Sequence, residues 1–345
     1  MPLKAHFLNV GQGDCTIVEF PFGRVAMIDI DNLKILDRDT RAEMLQEYRE
    51  SAEYLTAKAT NPFRALVMEE FFLRREQERL TDPLVYYDIN IGKFQDIFRF
   101  IVTHPDMDHM TGLHRLHEQE SSKKILNFWH TGFDDFNLAT TTDENWKNCP
   151  YDKRDWETYK KLRLGQGVIK SLVNYQGATN GFWAQDGVEI WAPTEELRKI
   201  AVEKGQANIV SLVLKISYKG RSIVLGGDAT AEESWPAICS SVQVGRIDVL
   251  KASHHGRKSG YYQPAVKAMS PSLTITSVGE KEHDATDSYR RYSDHTVSLR
   301  KTGDVQITID DNGNMFYSPA PNVEAHWKPR LETVSPLYQF TVKQL

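Results

Sequence analysis

Cysteine is scarce in this 345-residue chain. Cys15, Cys149 and Cys239 are odd in number and far apart, which excludes a disulfide framework and a thiolate zinc site. Any metal held here must rely on imidazole and carboxylate groups. Long apolar runs are also missing. None reaches the roughly 20 residues needed to cross a bilayer. The start, Met1-Pro2-Leu3-Lys4-Ala5-His6, enters a strand-like pattern without a signal-peptide core. The expectation is a soluble, cytoplasmic protein with no membrane contact. Surplus positive charge is absent too. A net charge of −5 argues against a broad non-specific grip on nucleic acid, while leaving room for a locally basic groove. What is present is ordinary globular material, 40% apolar and 26% charged, enough to bury a core in one large domain or two modest ones.

The first 30 residues read as strands. His6 to Val10 precede a glycine-rich turn, Gly11-Gln12-Gly13-Asp14; Cys15 to Phe20 alternate; Val25 to Ile28 are apolar and end on Asp29. From residue 33 to 80 the pattern turns helical. Leu45, Tyr48, Ala52, Leu55 and Ala59 share one helical spacing, and Asn61-Pro62 is a cap and first-turn pair for a second helix that Asp82-Pro83 stops. This predicts a helical hairpin inserted between core strands. Phe98 to His104 reads as a strand, followed by a loop and a helix from about Thr111 to Glu118. Residues 119–185 read as a variable insertion. Further strands are predicted at Gly187–Pro193, Ile209–Ser217, Ser222–Leu225, Asp248–Ser253, Leu273–Val278 and Val305–Ile309, with residues 320–345 as an appended tail.

The chemistry concentrates in His104-Pro105-Asp106-Met107-Asp108-His109. Pro105 disfavours helical geometry at His104, so the run is a loop. Four residues of the types that suit zinc and manganese lie within six positions. Two more predicted strands end on ligand-type residues: Asp228 after Gly226-Gly227, and His254-His255-Gly256 after Ser253. Singly, such residues are caps or turns. Together with Asp29, in this order, they point to a metal site where strand ends converge.

The same residues resemble the metallo-β-lactamase superfamily and, more narrowly, the hydrolase domain of the ComEC/Rec2 competence proteins. Phe7-Leu8-Asn9-Val10-Gly11-Gln12-Gly13-Asp14 is similar to that group's FLDVGQGD signature, with Asn9 in place of an aspartate. Ala207 to Leu214 and Thr276-Ser277-Val278-Gly279 resemble two of its later segments, after which His283 matches a family histidine. The resemblance covers most of residues 1–318. Asp106 stands where most of the superfamily has histidine, and the region of a further histidine ligand offers Asn208 and Ser211; the ComEC-like group shares both features. The membrane segments of competence channels are absent from the sequence, so DNA uptake is not implied.

The resemblance implies an αββα sandwich, residues 1–319, with two divalent ions, Zn²⁺ or Mn²⁺, at one edge of the sheets. One ion would take His104 and Asp106, the other Asp108, His109 and His255, with Asp228 between them and Asp29 orienting the loop from behind. A water shared by the ions and ionised near neutrality would attack phosphorus, Asp108 serving as ligand and catalytic group. His254 or His283 would protonate the leaving oxygen. Lys251, Arg257 and Lys258 are candidate phosphate contacts, with Asn208 and Ser211 beside them; solvated surface charge is the plain alternative. Trp129, Phe133, Phe136, Trp146 and Trp156 are candidates for base stacking or simply core. The function expected is a phosphodiesterase or nuclease. Its rivals are a hydrolase of lactones, thioesters or other phosphodiesters, and a partner-dependent subunit of a bacterial defence system docking through residues 33–80.

Overall fold

The computed structural model describes residues 1–36, 38–119, 122–133, 146–147, 149–165, 169–279 and 283–319. Its central strands, such as Val25–Ile28, Arg99–Ile101, Val249–Lys251 and Leu273–Thr276, are buried on both faces, the pattern of sheets covered on both sides. β1 (Leu3–Phe7), β2 (Thr16–Glu19), β3 (Val25–Ile28), β5 (Arg99–Ile101), β7 (Asn127–His130), β8 (Lys170–Val173), β15 (Val305–Ile309) and β16 (Met315–Pro319) form one sheet, in the order β16-β15-β1-β2-β3-β5-β7-β8. The second sheet runs β14-β13-β12-β11-β10-β9. It is built from β9 (Val188–Ala192), β10 (Val213–Tyr218), β11 (Arg221–Leu225), β12 (Val249–Lys251), β13 (Leu273–Thr276) and β14 (His295–Ser298).

Alternation sorts the side chains. Leu3, Ala5, Phe7, Ala26, Ile28, Ile101 and Trp129 from the first sheet meet Leu214, Ile216, Ile223, Leu225, Val249 and Ile275 from the second in one core. Their neighbours, among them Met27, Phe100 and Phe128, and Val213, Val224 and Leu250, face outward into helix-covered core. This is the αββα sandwich expected. Among the described residues, no helix is long and apolar enough to cross a membrane.

Three local expectations change. The inserted hairpin is three helices, α1 (Arg38–Arg49), α2 (Ala52–Thr60) and α3 (Pro62–Glu78). Continuous spacing hid the break at Ser51, whose hydroxyl caps α2 by accepting the Tyr54 amide at 3.2 Å. Asn61 caps α3 as read, accepting the Phe63 and Arg64 amides, and Asp82-Pro83 opens another short helix, α4 (Pro83–Tyr87). After the motif, β6 (Met110–Thr111) pairs with β4 (Ile30–Asp31) as a two-residue ladder, so helical structure begins just past Gly112, at Leu113, and runs through Arg115–Gln119. Residues 119–185, expected as a variable insertion, supply β7 and β8 to the first sheet. They also supply the helix Lys153–Arg163, whose Trp156, Tyr159 and Leu162 join the outer core. Residues 320–345 lie outside the described residues.

Candidate metal centre

Parallel pairing puts the functional strand ends on one rim. β3 and β5 are parallel, so Asp29 and Thr103-His104 emerge side by side. β11 and β12 are parallel, so Asp228 and His254-His255 do the same from the other sheet. Asp29, His254 and His255 adopt φ of 56°, 50° and 61°, a left-handed conformation that costs energy in non-glycine residues and concentrates where function requires it. Gly13 lets the first loop approach: a Cβ there would overlap the Asp108 carbonyl and the Asp31 carboxylate.

Four imidazoles surround Asp228, each with Nε2 turned inward. His109 and His255 lie 3.3 Å from its carboxylate, His254 3.6 Å and His104 3.9 Å. His255 Nε2 is also 3.2 Å from Asp108 Oδ2, and His109 Nε2 3.9 Å from Asp108 Oδ1. The outward nitrogens are held from behind. Asp29 takes His109 Nδ1 at 2.8 Å. The Thr103 hydroxyl donates to Asp29 at 2.7 Å, so at 3.2 Å from His104 Nδ1 it is left to accept. These partners place the proton of each neutral ring on Nδ1 and leave a lone pair on Nε2, the arrangement of a metal-ligating histidine. Ser259 Oγ lies 2.8 Å from His254 Nδ1.

The atoms themselves test whether a cation belongs here. His104 Nε2, His109 Nε2 and Asp228 Oδ1 are buried without a hydrogen-bond partner, a costly state that a coordinated cation relieves. Among the described residues, three sets of side chains offer ligand atoms close enough to share an ion: His104, His109 and Asp228; Asp108, His109 and His255; Asp14, Asp228 and His255.

Electrostatics agree with a site built for positive charge. Burial opposes ionisation of His109, but Asp228, Asp29 and Asp108 outweigh it and hold the ring well above its ordinary value. His255 is raised likewise against burial, by Asp228 and Asp14. Burial, with His109 beside it, pushes His104 down to about 3. Burial works against the Asp228 carboxylate too, yet His255, His109 and His254 keep it well below the usual range.

Other expected residues fall elsewhere. Asp106 belongs to none of the three sets; its Oδ1 accepts the Met107 amide at 2.9 Å, capping the short turn Met107–His109. Burial and Asp108 raise it to about 6. Lys251 is buried, with its ammonium 2.6 Å from Asp14, so it is not presented to a phosphate. Asn208 and Ser211 support Asp228 itself: Asn208 Nδ2 donates to its carboxylate at 3.4 Å and Ser211 Oγ accepts its amide at 3.0 Å. Arg257 is half-buried and Lys258 exposed on the turn after the histidine pair. His283 is exposed and joins that turn through its carbonyl, which accepts the Lys258 amide. Trp129, Phe133, Trp146 and Trp156 are buried core, because their rings complete the two hydrophobic layers; Phe136 lies outside the described residues. Sequence reasoning missed Asp14 and Asp31 as members of the centre. Asp31 is buried, raised to about 7 by burial and, against the Leu33 amide, by Asp108. The Gly-Asp ending of the first turn and the alternation Asp29-Ile30-Asp31 were the available signals.

No protein-family profile matches the sequence, and no curated protein matches it. Among solved structures, the metallo-beta-lactamase fold protein YhfI from Bacillus subtilis is similar over 92% of this chain and 100% of its own, at 10% identity and a TM-score of 0.38. CmlA, a diiron beta-hydroxylase from Streptomyces venezuelae, is similar over 89% of this chain and 53% of its own, at 11% identity and 0.42. A long-form RNase Z from yeast is similar over 88% and 42%, at 10% identity and 0.41. The chain thus spans about half the length of the last two proteins.

Proposed function

We propose that this protein is a divalent-metal-dependent hydrolase of phosphodiesters, with nucleic acid the favoured substrate class and residues 1–319 the catalytic unit. One observation carries the reading: the imidazole and carboxylate atoms from both sheets that converge, buried and unpaired, around Asp228. His104, His109 and Asp228 would hold one ion. Asp108 and His255, with Asp228 shared, would hold the other, because His109 has a single inward nitrogen. Zn²⁺ and Mn²⁺ suit these donors. Bound there, the ions would activate water for attack on phosphorus and stabilise charge on the phosphoryl oxygens.

The chain's own groups supply the rest. Asp29 and Thr103 fix two rings so that their lone pairs face inward. His254, half-buried at the rim with Nε2 near Asp228 and Nδ1 at Ser259, would pass a proton to a leaving oxygen. Arg257 and Lys258, on the same turn, offer positive charge to a phosphate. The test is metal analysis of the purified protein, then a panel of single-stranded DNA, RNA, bis-p-nitrophenyl phosphate, a lactone and a thioester with Mn²⁺ or Zn²⁺. Turnover of the carbon esters alone would refute the phosphodiester assignment.

A second reading makes residues 33–80 the seat of a protein partner. Its supporting observation is the outer side of α3, where Phe63 is 80%, Leu66 60% and Phe71 67% exposed, more than scattered surface apolar residues account for. Metal-loaded protein that cleaves nothing until a companion is added would favour it; full turnover by the isolated chain would remove it.

A further inference from the structure

We infer that Asp14 is the positioning carboxylate of His255, standing to that ring as Asp29 stands to His109. The inference rests on the hydrolase reading, since it is the inward Nε2 of His255 that Asp14 would aim. Asp29 faces Nδ1 of His109 while Nε2 faces Asp228 and Asp108. Asp14 faces Nδ1 of His255 while Nε2 faces the same two carboxylates. The Asp14–His255 separation of 3.6 Å is about 0.7 Å beyond a normal N–H···O bond, and His255 Nδ1 is buried with no hydrogen-bond partner, so Asp14 is the acceptor nearest to it among its ion-pair contacts. A carboxylate accepts only, so it selects the ring form with the proton on Nδ1 and the lone pair on the metal side.

Asp14, Asp228 and His255 are also close enough to be read as ligands of one ion. The Lys251 ammonium decides against Asp14 as a ligand. It sits 2.6 Å from Asp14 Oδ1, so a cation on that carboxylate would be pressed against a positive charge in a dry site. Lys251 and the Ser277 hydroxyl, which donates to the same oxygen at 2.8 Å, instead lock the carboxylate behind the ring. The His255 carbonyl accepts the Ser277 and Val278 amides, so one short segment fixes both the ring's backbone and its carboxylate.

The simpler role for Asp14 is counter-ion to a buried lysine, and the test separates the two. Full-length protein labelled with ¹⁵N at histidine is compared with D14N, K251M and the double variant D14N/K251M. D14N alone leaves a buried ammonium unpaired and lowers the melting temperature; adding K251M removes that charge, so the double variant reports on positioning alone. D14E keeps the charge, shifts the carboxylate by one methylene, and serves if the others do not fold. Two quantities are read: the His255 ring ¹⁵N resonances of metal-free protein, assigned with H255Q, and Zn²⁺ and Mn²⁺ affinity by chelator competition. In D14N, D14N/K251M and D14E the ring resonances should shift and affinity for one of two ions should fall roughly 10–100-fold. Wild-type resonances and affinity in the folded double variant, or in D14E, would leave Asp14 a counter-ion and overturn the inference. The ring spectra need no metal. A wild-type protein that takes up no divalent ion therefore ends the hydrolase reading, while the spectra still decide the role of Asp14.

Discussion

His109 has the most to lose of any single side chain. It offers one inward nitrogen to Asp228 and Asp108 and satisfies the buried Asp29 carboxylate with the other. His109→Ala should therefore abolish turnover and lower the bound metal while the circular-dichroism spectrum persists; wild-type metal content in this variant would exclude the residue as a ligand. Arg257 would act at longer range. Arg257→Ala should raise KM for a phosphodiester more at low than at high ionic strength, because attraction between a charge that reaches solvent and a phosphate is screened by salt; an unchanged salt response would remove it from the substrate path. His130 gives a pH signature away from the centre. Its Nδ1 accepts the Gly132 amide and its Nε2 lies 3.0 Å from Ser171, and burial, with Arg163 and Arg198 adding to it, lowers it from 6.5 to about 4. Between those values the unfolded chain binds the extra proton. The stability it contributes is complete above about 6.5 and is lost as pH falls toward about 4. The drop in urea midpoint from pH 7.5 to 5.5 should be larger for wild type than for His130→Gln, and equal drops would show that the ring does not couple folding to protons.

At the scale of elements, legibility follows how local the cause is. Asn61-Pro62 announces α3 because the cap acts on the next two amides; Asn61→Ala should cost about 1 kcal/mol in denaturant unfolding and leave hydrolysis unchanged, and lost activity would tie α3 to the centre. The run His104–His109 is equally legible, since its ligand types are dense in sequence. Ser51 was missed because the apolar spacing continues through it, and only the Tyr54 amide shows that the chain has turned. Strand Ile209–Ser217 was drawn too long at its start. Ala207–Val210 is instead a short turn that lets Ser211 reach the Asp228 amide, 17 residues away. Lys251 looked like a surface cation because its partner, Asp14, is 237 residues distant. Ser51 acts locally and is masked by unbroken apolar spacing; Ser211 and Lys251 answer to contacts with segments distant in sequence, which composition and periodicity do not encode.

Across the whole molecule, the centre joins the two layers. His104, Asp108 and His109 follow β5 of the first sheet, whereas Asp228 and His255 follow β11 and β12 of the second. Ions held by both sets would oppose separation of the sheets, and would offset the burial and the neighbouring Asp228 charge that work against the Asp108 carboxylate. Binding to the folded state alone stabilises by about 2.7 kcal/mol per ion when free metal is 100 times its Kd, which at about 2 °C per kcal/mol for a large domain is a Tm change of about 5 °C for each ion held. Chelator-treated protein should therefore melt at least about 5 °C below protein resupplied with Zn²⁺ or Mn²⁺, and His109→Ala should show a smaller difference than wild type. Because the ligands come from opposite sheets, the loss should appear as one cooperative shift of the main transition and not as an early local melt. A Tm indifferent to chelation and resupply would mean that no ion bridges the rim.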